Sequence, residues 1–307
     1  MKTVVPFLPK SIAERLEQIP SFQQNEIEEI RVRINRPLEV TMKGSPLFLP
    51  YTVQPEDALH LLNKISGYSI YTLEEELKRG YITISGGHRV GLAGKVILEN
   101  SQVKAIRDIS SFNIRIARER IGIADPLVPF LFDNGWLHTM IIGPPQTGKT
   151  TLLRDIARII STGNDALGLS ASKVGIVDER SEIAGCVKGI PQLTFGNRID
   201  VLDACPKAEG MMMMIRSMSP DVLVVDEIGR EEDALAIMEA VNAGIKLIMT
   251  THGSSLLEIR KRPSLKKILE QRIFQRFIEL SRKDGPGTVT YIKDGSGEQI
   301  TSKVRVT

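Results

Sequence analysis

The spacing of apolar positions changes partway along this chain. Over residues 29–34 (EIRVRI), isoleucine and valine alternate with charged residues, the two-residue period of a half-buried strand. Residues 81–85 (YITIS), 89–98 and 112–116 (FNIRI) alternate likewise or run as short β-like stretches, and Gly86 with Gly87 marks a hairpin turn after the first of them. Two segments break this rhythm. Residues 55–65 and 71–79 read as helices, the second with Thr72 and Glu75 in capping-box register and Gly80 as its stop. This mixture predicts a small α+β domain over residues 1–122.

Beyond that point the apolar runs lose their alternation. Residues 137–142 (LHTMII), 174–177 (VGIV), 222–225 (VLVV) and 247–250 (LIMT) are short and apolar throughout, as strands buried on both faces are. Helical patterns lie between them; the first carries Leu152, Leu153, Ile156, Ile159 and Ile160. Strands alternating with helices predict a mostly parallel α/β domain over residues 123–307, with functional residues at the carboxyl ends of the strands. Residues 122–129 (GIADPLVP), with two prolines, are the expected joint. The glycine turns at 285–288 and 294–297 around TVTYIK predict a closing β-ribbon, and Met211 to Met214 are expected in the core.

Composition narrows the picture only modestly. With 307 residues and 34.0 kDa, each of two domains can bury a core. A net charge of +3 and 5% aromatic residues give little footing for a nucleic acid, so none is expected as a partner. No apolar run reaches the roughly 18 to 20 residues of a bilayer span, and MKTVVPFLPK has neither a basic cluster nor a long apolar segment, so a cytoplasmic protein is expected. Cys186 and Cys205 lack a CxxC spacing, and His60, His88, His138 and His252 are scattered, which points away from disulfides and zinc.

The chemistry concentrates at four strand ends. Residues 143–150 read GPPQTGKT, the phosphate-loop pattern, placed between a predicted strand and a predicted helix. The loop Gly143, Pro144, Pro145, Gln146, Thr147 and Gly148 can wrap a β-phosphate with backbone N–H groups at the positive end of the helix, with Lys149 adding a full charge and Thr150 and Thr151 following. ATP and Mg²⁺ are the expected ligands, the metal held by Thr150 and Asp226. SPDVLVVDE at 219–227 ends in Asp226 and Glu227, one carboxylate for the metal and one to orient an attacking water. DERSE at 178–182 offers Asp178, Glu179 and Glu182 to the same shell, and His252 in MTTHGSS can sense the γ-phosphate.

Residues 216–243 (RSMSPDVLVVDEIGREEDALAIMEAVNA), followed by MTTHGSS, resemble the Walker B and histidine-box segments of the ATPases that drive bacterial type II and type IV secretion machines, and DERSE resembles their aspartate box. Many of those ATPases have glycine where this chain has Asp226. Further, EIRVRINRPLEV (29–40), GGHRVGLAGKV (86–96), IRDISSFNIRIARE (106–119) and RIDVLDACPKAEGM (198–211) resemble the stage III sporulation AA family of endospore-forming bacteria. The resemblance implies an α/β fold: a RecA-like P-loop NTPase domain behind a smaller N-terminal α+β domain. It implies an ATPase with Glu227, Glu179, Arg216, Arg230 and His252 as catalytic residues, Arg216 or Arg230 acting as arginine finger within or across subunits. It implies a homo-oligomer, a hexamer, in the mother cell, held at the membrane through membrane proteins of the sporulation channel complex. By the same resemblance, the N-terminal arginines, at 31, 33, 107, 115 and 118, would cover the phosphates when that domain closes, with nucleic-acid backbone contact or a solvated charged face as the other readings of this basic surface. A nucleic-acid translocase and a nucleotide-gated scaffold with little turnover stay open as alternatives.

Overall fold

The computed structural model describes residues 1, 3–68, 74–283 and 285–305. The chain divides into two compact units, one comprising Met1–Arg118 with Gly185–Val187, the other Glu119–Ala184 with Lys188–Thr307.

The first unit contains helices α1 (Lys10–Glu17), α2 (Ser21–Gln24), α3 (Pro55–Ile65) and α4 (Glu74–Arg79). Its sheet is formed by β1 (Ile27–Arg33), β2 (Pro37–Met42), β3 (Ser45–Thr52), β4 (Tyr81–Ile84), β5 (His88–Glu99) and β6 (Gln102–Arg115), antiparallel throughout in the order β3-β2-β1-β6-β5-β4. Alternation does its expected work in β1, where Ile30 and Val32 are fully buried in a core with Phe112, Ile114 and Leu61. Helix α3 starts where Pro55 fixes its first turn, and the Asp57 carboxylate accepts the Gln54 N–H at 2.9 Å. The Thr72 cap expected for the next helix lies outside the described residues.

The outward face of β1 is not the free basic surface that its arginines suggest. Cross-strand register sets Glu29 opposite Arg115 and Arg31 opposite Glu39. Arg31 meets Glu29 at 3.0 Å, Arg33 meets Glu39 at 2.6 Å, and Arg115 approaches Glu29 at 3.5 Å. Two glutamates thus offset three guanidinium groups, and Arg118 donates to the Ile27 carbonyl at 2.8 Å.

The second unit comprises α5 (Val128–Leu131), β7 (Thr139–Gly143), α6 (Lys149–Thr162), β8 (Val174–Asp178), β9 (Ile199–Asp203), α7 (Lys207–Met218), β10 (Val222–Val225), α8 (Glu231–Asn242), β11 (Lys246–His252), α9 (Leu256–Ile259), α10 (Pro263–Glu270), β12 (Arg276–Ser281), β13 (Thr288–Asp294) and β14 (Gln299–Arg305). These strands form one sheet in the order β14-β13-β12-β7-β11-β10-β8-β9, parallel from β12 to β9, with the C-terminal ribbon antiparallel at one edge. Apolar clusters cover both faces, one around α6 and one around α7, α8 and α10, which is why the central strands carry no polar alternation. Residues 122–124 are fastened to this unit: the buried Asp155 carboxylate on α6 accepts the N–H groups of Gly122 (3.2 Å) and Ala124 (2.8 Å).

The four methionines divide by helical phase. Met211 and Met214 are fully buried one turn apart on α7 and Met212 packs partly buried against the same core, whereas Met213 is 47% exposed, so three of the four join the core.

Candidate functional site

Strand β7 ends at Gly143, and the loop that follows turns directly into α6. Gly148 caps the helix at φ 87°, where a side chain would be strained, and a Cβ there would stand 3.2 Å from the Gly287 nitrogen. That neighbour lies in the turn between β12 and β13, and its N–H donates to the Thr147 carbonyl at 2.8 Å. Arg282 of the same turn donates to Gln146 Oε1 at 3.2 Å, and the Thr147 hydroxyl donates to the Pro144 carbonyl at 2.8 Å. Pro145 and Gln146 form the exposed tip. Thr151 lines a separate cleft with Glu119, Arg154 and Arg158.

Lys149 folds its ammonium over the base of the loop. Nζ donates to the carbonyls of Gly143 (2.9 Å) and Pro144 (3.0 Å) and to His252 Nδ1 (3.1 Å). Burial pushes this amine below its ordinary pKa, while the charges of Asp226 and Glu227 pull it back up.

Beside it the loop and strand β10 meet. The Thr150 hydroxyl donates to Asp226 Oδ2 at 2.6 Å, and the Thr250 hydroxyl of β11 donates to Asp226 Oδ1. A hydroxyl and a carboxylate at one point form the oxygen-only donor set of a hard divalent cation such as Mg²⁺. Among the described residues no group of three or more His, Cys, Asp or Glu gathers for a metal, so such a cation would take most ligands from water and phosphate.

Glu227 is held at three points. Its backbone sits at φ 55°, an uncommon conformation for a residue with a side chain, and its N–H donates to the Thr250 hydroxyl at 2.9 Å. Oε1 accepts from His252 Nε2 at 2.8 Å and Oε2 accepts from Arg180 at 2.8 Å. Because Lys149 has only donors, His252 Nδ1 must accept, which leaves the ring proton on Nε2 for Glu227. Strand order explains the contact: β11 lies between β7 and β10, so His252 bridges the two strand ends.

The DERSE segment separates into two roles. The buried Asp178 carboxylate accepts the N–H groups of Glu182 (2.8 Å), Ile183 (2.9 Å) and Ala184 (2.9 Å), and Arg154 donates to the carbonyls of Glu182 and Ile183, both at 2.6 Å. Burial raises Asp178 to about 6 against the lowering effect of those N–H groups. Asp178 therefore shapes the turn. Glu179 receives Lys207 Nζ at 2.5 Å, with an Arg230 guanidinium nitrogen 3.9 Å away. Burial raises its carboxyl, but Lys207, Arg230 and Arg180 outweigh this and leave it below the ordinary range. Glu179 and Glu182 share a cleft with Lys207, Asp226 and Glu227.

Within one chain Arg216 is not part of this constellation. It is exposed in the last turn of α7, nine residues after Lys207, which places it roughly 13 Å further along the helix axis and away from the cleft. Three residues absent from the sequence-based site prove central, Arg180, Lys207 and Thr250. Thr250 had a signal: two positions before His252 on a strand, it shares that residue's face. Lys207 had none, since its partner Glu179 lies 28 positions away.

The phosphate loop and the parallel sheet that carries it form a RecA-like P-loop NTPase fold. The Yersinia pseudotuberculosis ATPase DotB superposes with a TM-score of 0.60 at 15% identity, covering 98% of this chain and 81% of its own. The pilus retraction motor PilT with bound ADP gives 0.57 at 16% identity, covering 86% of this chain and 76% of its own. The chain belongs to the family Sporulation stage III, protein AA, which matches residues 2–300. Stage III sporulation protein AA of Bacillus subtilis (strain 168) is 60% identical over 301 residues, 98% of this chain and 97% of the relative. Among the described residues no helix is long and apolar enough to cross a membrane.

Proposed function

We propose that this chain is a Mg²⁺-dependent ATPase that energises the channel complex between mother cell and forespore during endospore formation. The observation that carries the reading is the 2.6 Å contact of Thr150 with Asp226, because it joins phosphate loop and Walker B strand at the point where a metal-bound phosphate is handled. Loop N–H groups and Lys149 bind the β- and γ-phosphates of ATP. Thr150 and Asp226 would hold Mg²⁺, which when bound would offset the phosphate charge. Glu227, freed from Arg180, orients and deprotonates the attacking water, while His252 carries contact from Glu227 to Lys149. Glu179 completes the water shell, and Arg230, at the rim and 69% exposed, supplies positive charge to the transition state. Arg216 acts across a subunit boundary, in a homo-oligomeric ring, a hexamer. The protein works in the mother-cell cytoplasm, attached to the membrane through membrane proteins of the channel complex.

A scaffold reading, ATP binding with little turnover, is favoured by one observation: both Glu227 carboxylate oxygens are engaged, by His252 and Arg180. Glu227→Gln separates the two. A motor loses turnover by about 100-fold or more while nucleotide affinity persists; equal turnover in variant and wild type refutes Glu227 as the base.

A further inference from the structure

The charge of this chain is unevenly distributed. Residues 260–276 hold seven basic side chains and one acidic, a net +6 within a chain whose total is +3. Everything outside this segment is therefore net negative. The segment runs through α10 into β12 and borders a cavity of about 450 Å³. Arg260, Lys266 and Arg272 rim the cavity, while Leu269, Phe274 and Phe277 form its apolar floor. Glu270, also at the rim, contacts Lys266 at 3.7 Å. Lys267 and Arg272 have no carboxylate partner among the described residues. The cavity belongs to neither the phosphate loop nor the carboxylate cleft: Arg276, the first residue of β12, pairs with Thr139 at the start of β7, and the loop begins at the other end of that strand, roughly 13 Å away.

We propose that this cavity docks an acidic segment of a partner polypeptide, with carboxylates on the arginine and lysine rim and one apolar side chain on the phenylalanine floor. Charge complementarity selects an anionic occupant. Concavity selects a protruding chain over a bilayer, because a lipid surface meets basic side chains on a flat or convex face with apolar groups projecting outward. Here the apolar groups are recessed, Phe274 being 1% and Phe277 3% exposed. The same recession disfavours single-stranded nucleic acid, which needs open ring faces for stacking.

The docking segment is also wired to the phosphate site. Arg262 stands immediately before α10, donates to the His252 carbonyl at 2.6 Å and pairs with Glu258. A partner that shifts α10 thus acts on the residue touching both Lys149 and Glu227. The proposal does not rest on hydrolysis, so its test omits nucleotide.

The experiment measures fluorescence anisotropy of a labelled peptide, glutamates around one phenylalanine and one leucine, titrated with the full-length protein. Parallel titrations use the glutamine version of the peptide, vesicles of equal parts phosphatidylglycerol and phosphatidylcholine, and an oligothymidine. The expected result is saturable binding of the glutamate peptide alone, weakened about tenfold by the exposed double substitution Lys266→Glu with Arg272→Glu and weakened further by salt. Lys267→Gln with Arg272→Gln, a milder pair, should weaken it in the same direction. Absence of peptide binding, or equal binding by wild type and both double variants, overturns the proposal. Variant-sensitive binding of vesicles or oligothymidine without peptide binding overturns it in favour of that other occupant.

Discussion

Replacing Thr250 with valine keeps the branching and nearly the volume of a fully buried side chain and deletes one hydroxyl. That hydroxyl donates to Asp226 and accepts the Glu227 N–H at 2.9 Å, so both Walker B carboxylates lose a fixed point at once. A hydrogen bond to a charged group contributes ~1.5–3 kcal/mol, and an N–H left without an acceptor costs ~1–3 kcal/mol, so the variant should lose ~2.5–6 kcal/mol of stability. Nucleotide affinity should change little, because the loop and Lys149 are untouched. Turnover should fall roughly 100-fold, the usual consequence of displacing a water-positioning group by about an ångström. Thr251→Val is the internal control: its hydroxyl donates to the Ile228 carbonyl at 2.9 Å, and its loss should cost ~1 kcal/mol without slowing turnover. Urea melts, fluorescent-nucleotide titration and steady-state ATP hydrolysis on both variants supply the comparison. Equal turnover in the two valine variants would refute the idea that one hydroxyl sets the carboxylate pair.

Lys149→Ala should weaken nucleotide binding about 10- to 100-fold in a folded protein, read by calorimetry; unchanged affinity would remove the phosphate-loop assignment. Lys207→Met strips Glu179 of its 2.5 Å partner, so burial then dominates and the acid limb of the turnover profile should move to higher pH, with Lys207→Arg partly restoring it. An unmoved limb would make Lys207 a packing residue only. Asp178, raised from 3.8 to about 6 by burial, contributes stability that is present below its unfolded value and lost as pH rises through 6. The difference between wild type and Asp178→Asn in urea stability should therefore shrink by ~2 kcal/mol between pH 4 and 7, and a flat difference would contradict it.

The elements legible in the sequence were those whose pattern is local. Strand β7, the phosphate loop and α6 occur in the expected order because an unbroken apolar run, a glycine loop and a helical repeat each announce themselves over a few residues. Strands β2 and β3 escaped notice, since Pro37, Pro46 and Pro50 read as strand breakers although an edge such as β3 tolerates them. Strand β9 (IDVLD) has no fully buried position, and its apolar residues are too few and too interrupted by Asp200 to stand out as a buried run. Within the site, the residue types at each strand end were readable, but their partners were not. Glu227 meets His252 because β11 inserts between β7 and β10, and spatial strand order is not written along the chain. Helix direction is not written there either: within one chain α7 carries Arg216 away from the cleft.

The Gly287 N–H that holds the Thr147 carbonyl has a consequence for synthesis. One neighbour of β7 is β12, and the turn that braces the phosphate loop follows it, so the loop's own support is translated late. Roughly 140 residues separate Thr150 from Gly287, an interval of roughly 7 to 28 s at ordinary elongation rates. During that interval β7 has an open edge and the loop lacks its brace. A ribosome-bound chain thus displays the GKT sequence long before the turn that braces it exists.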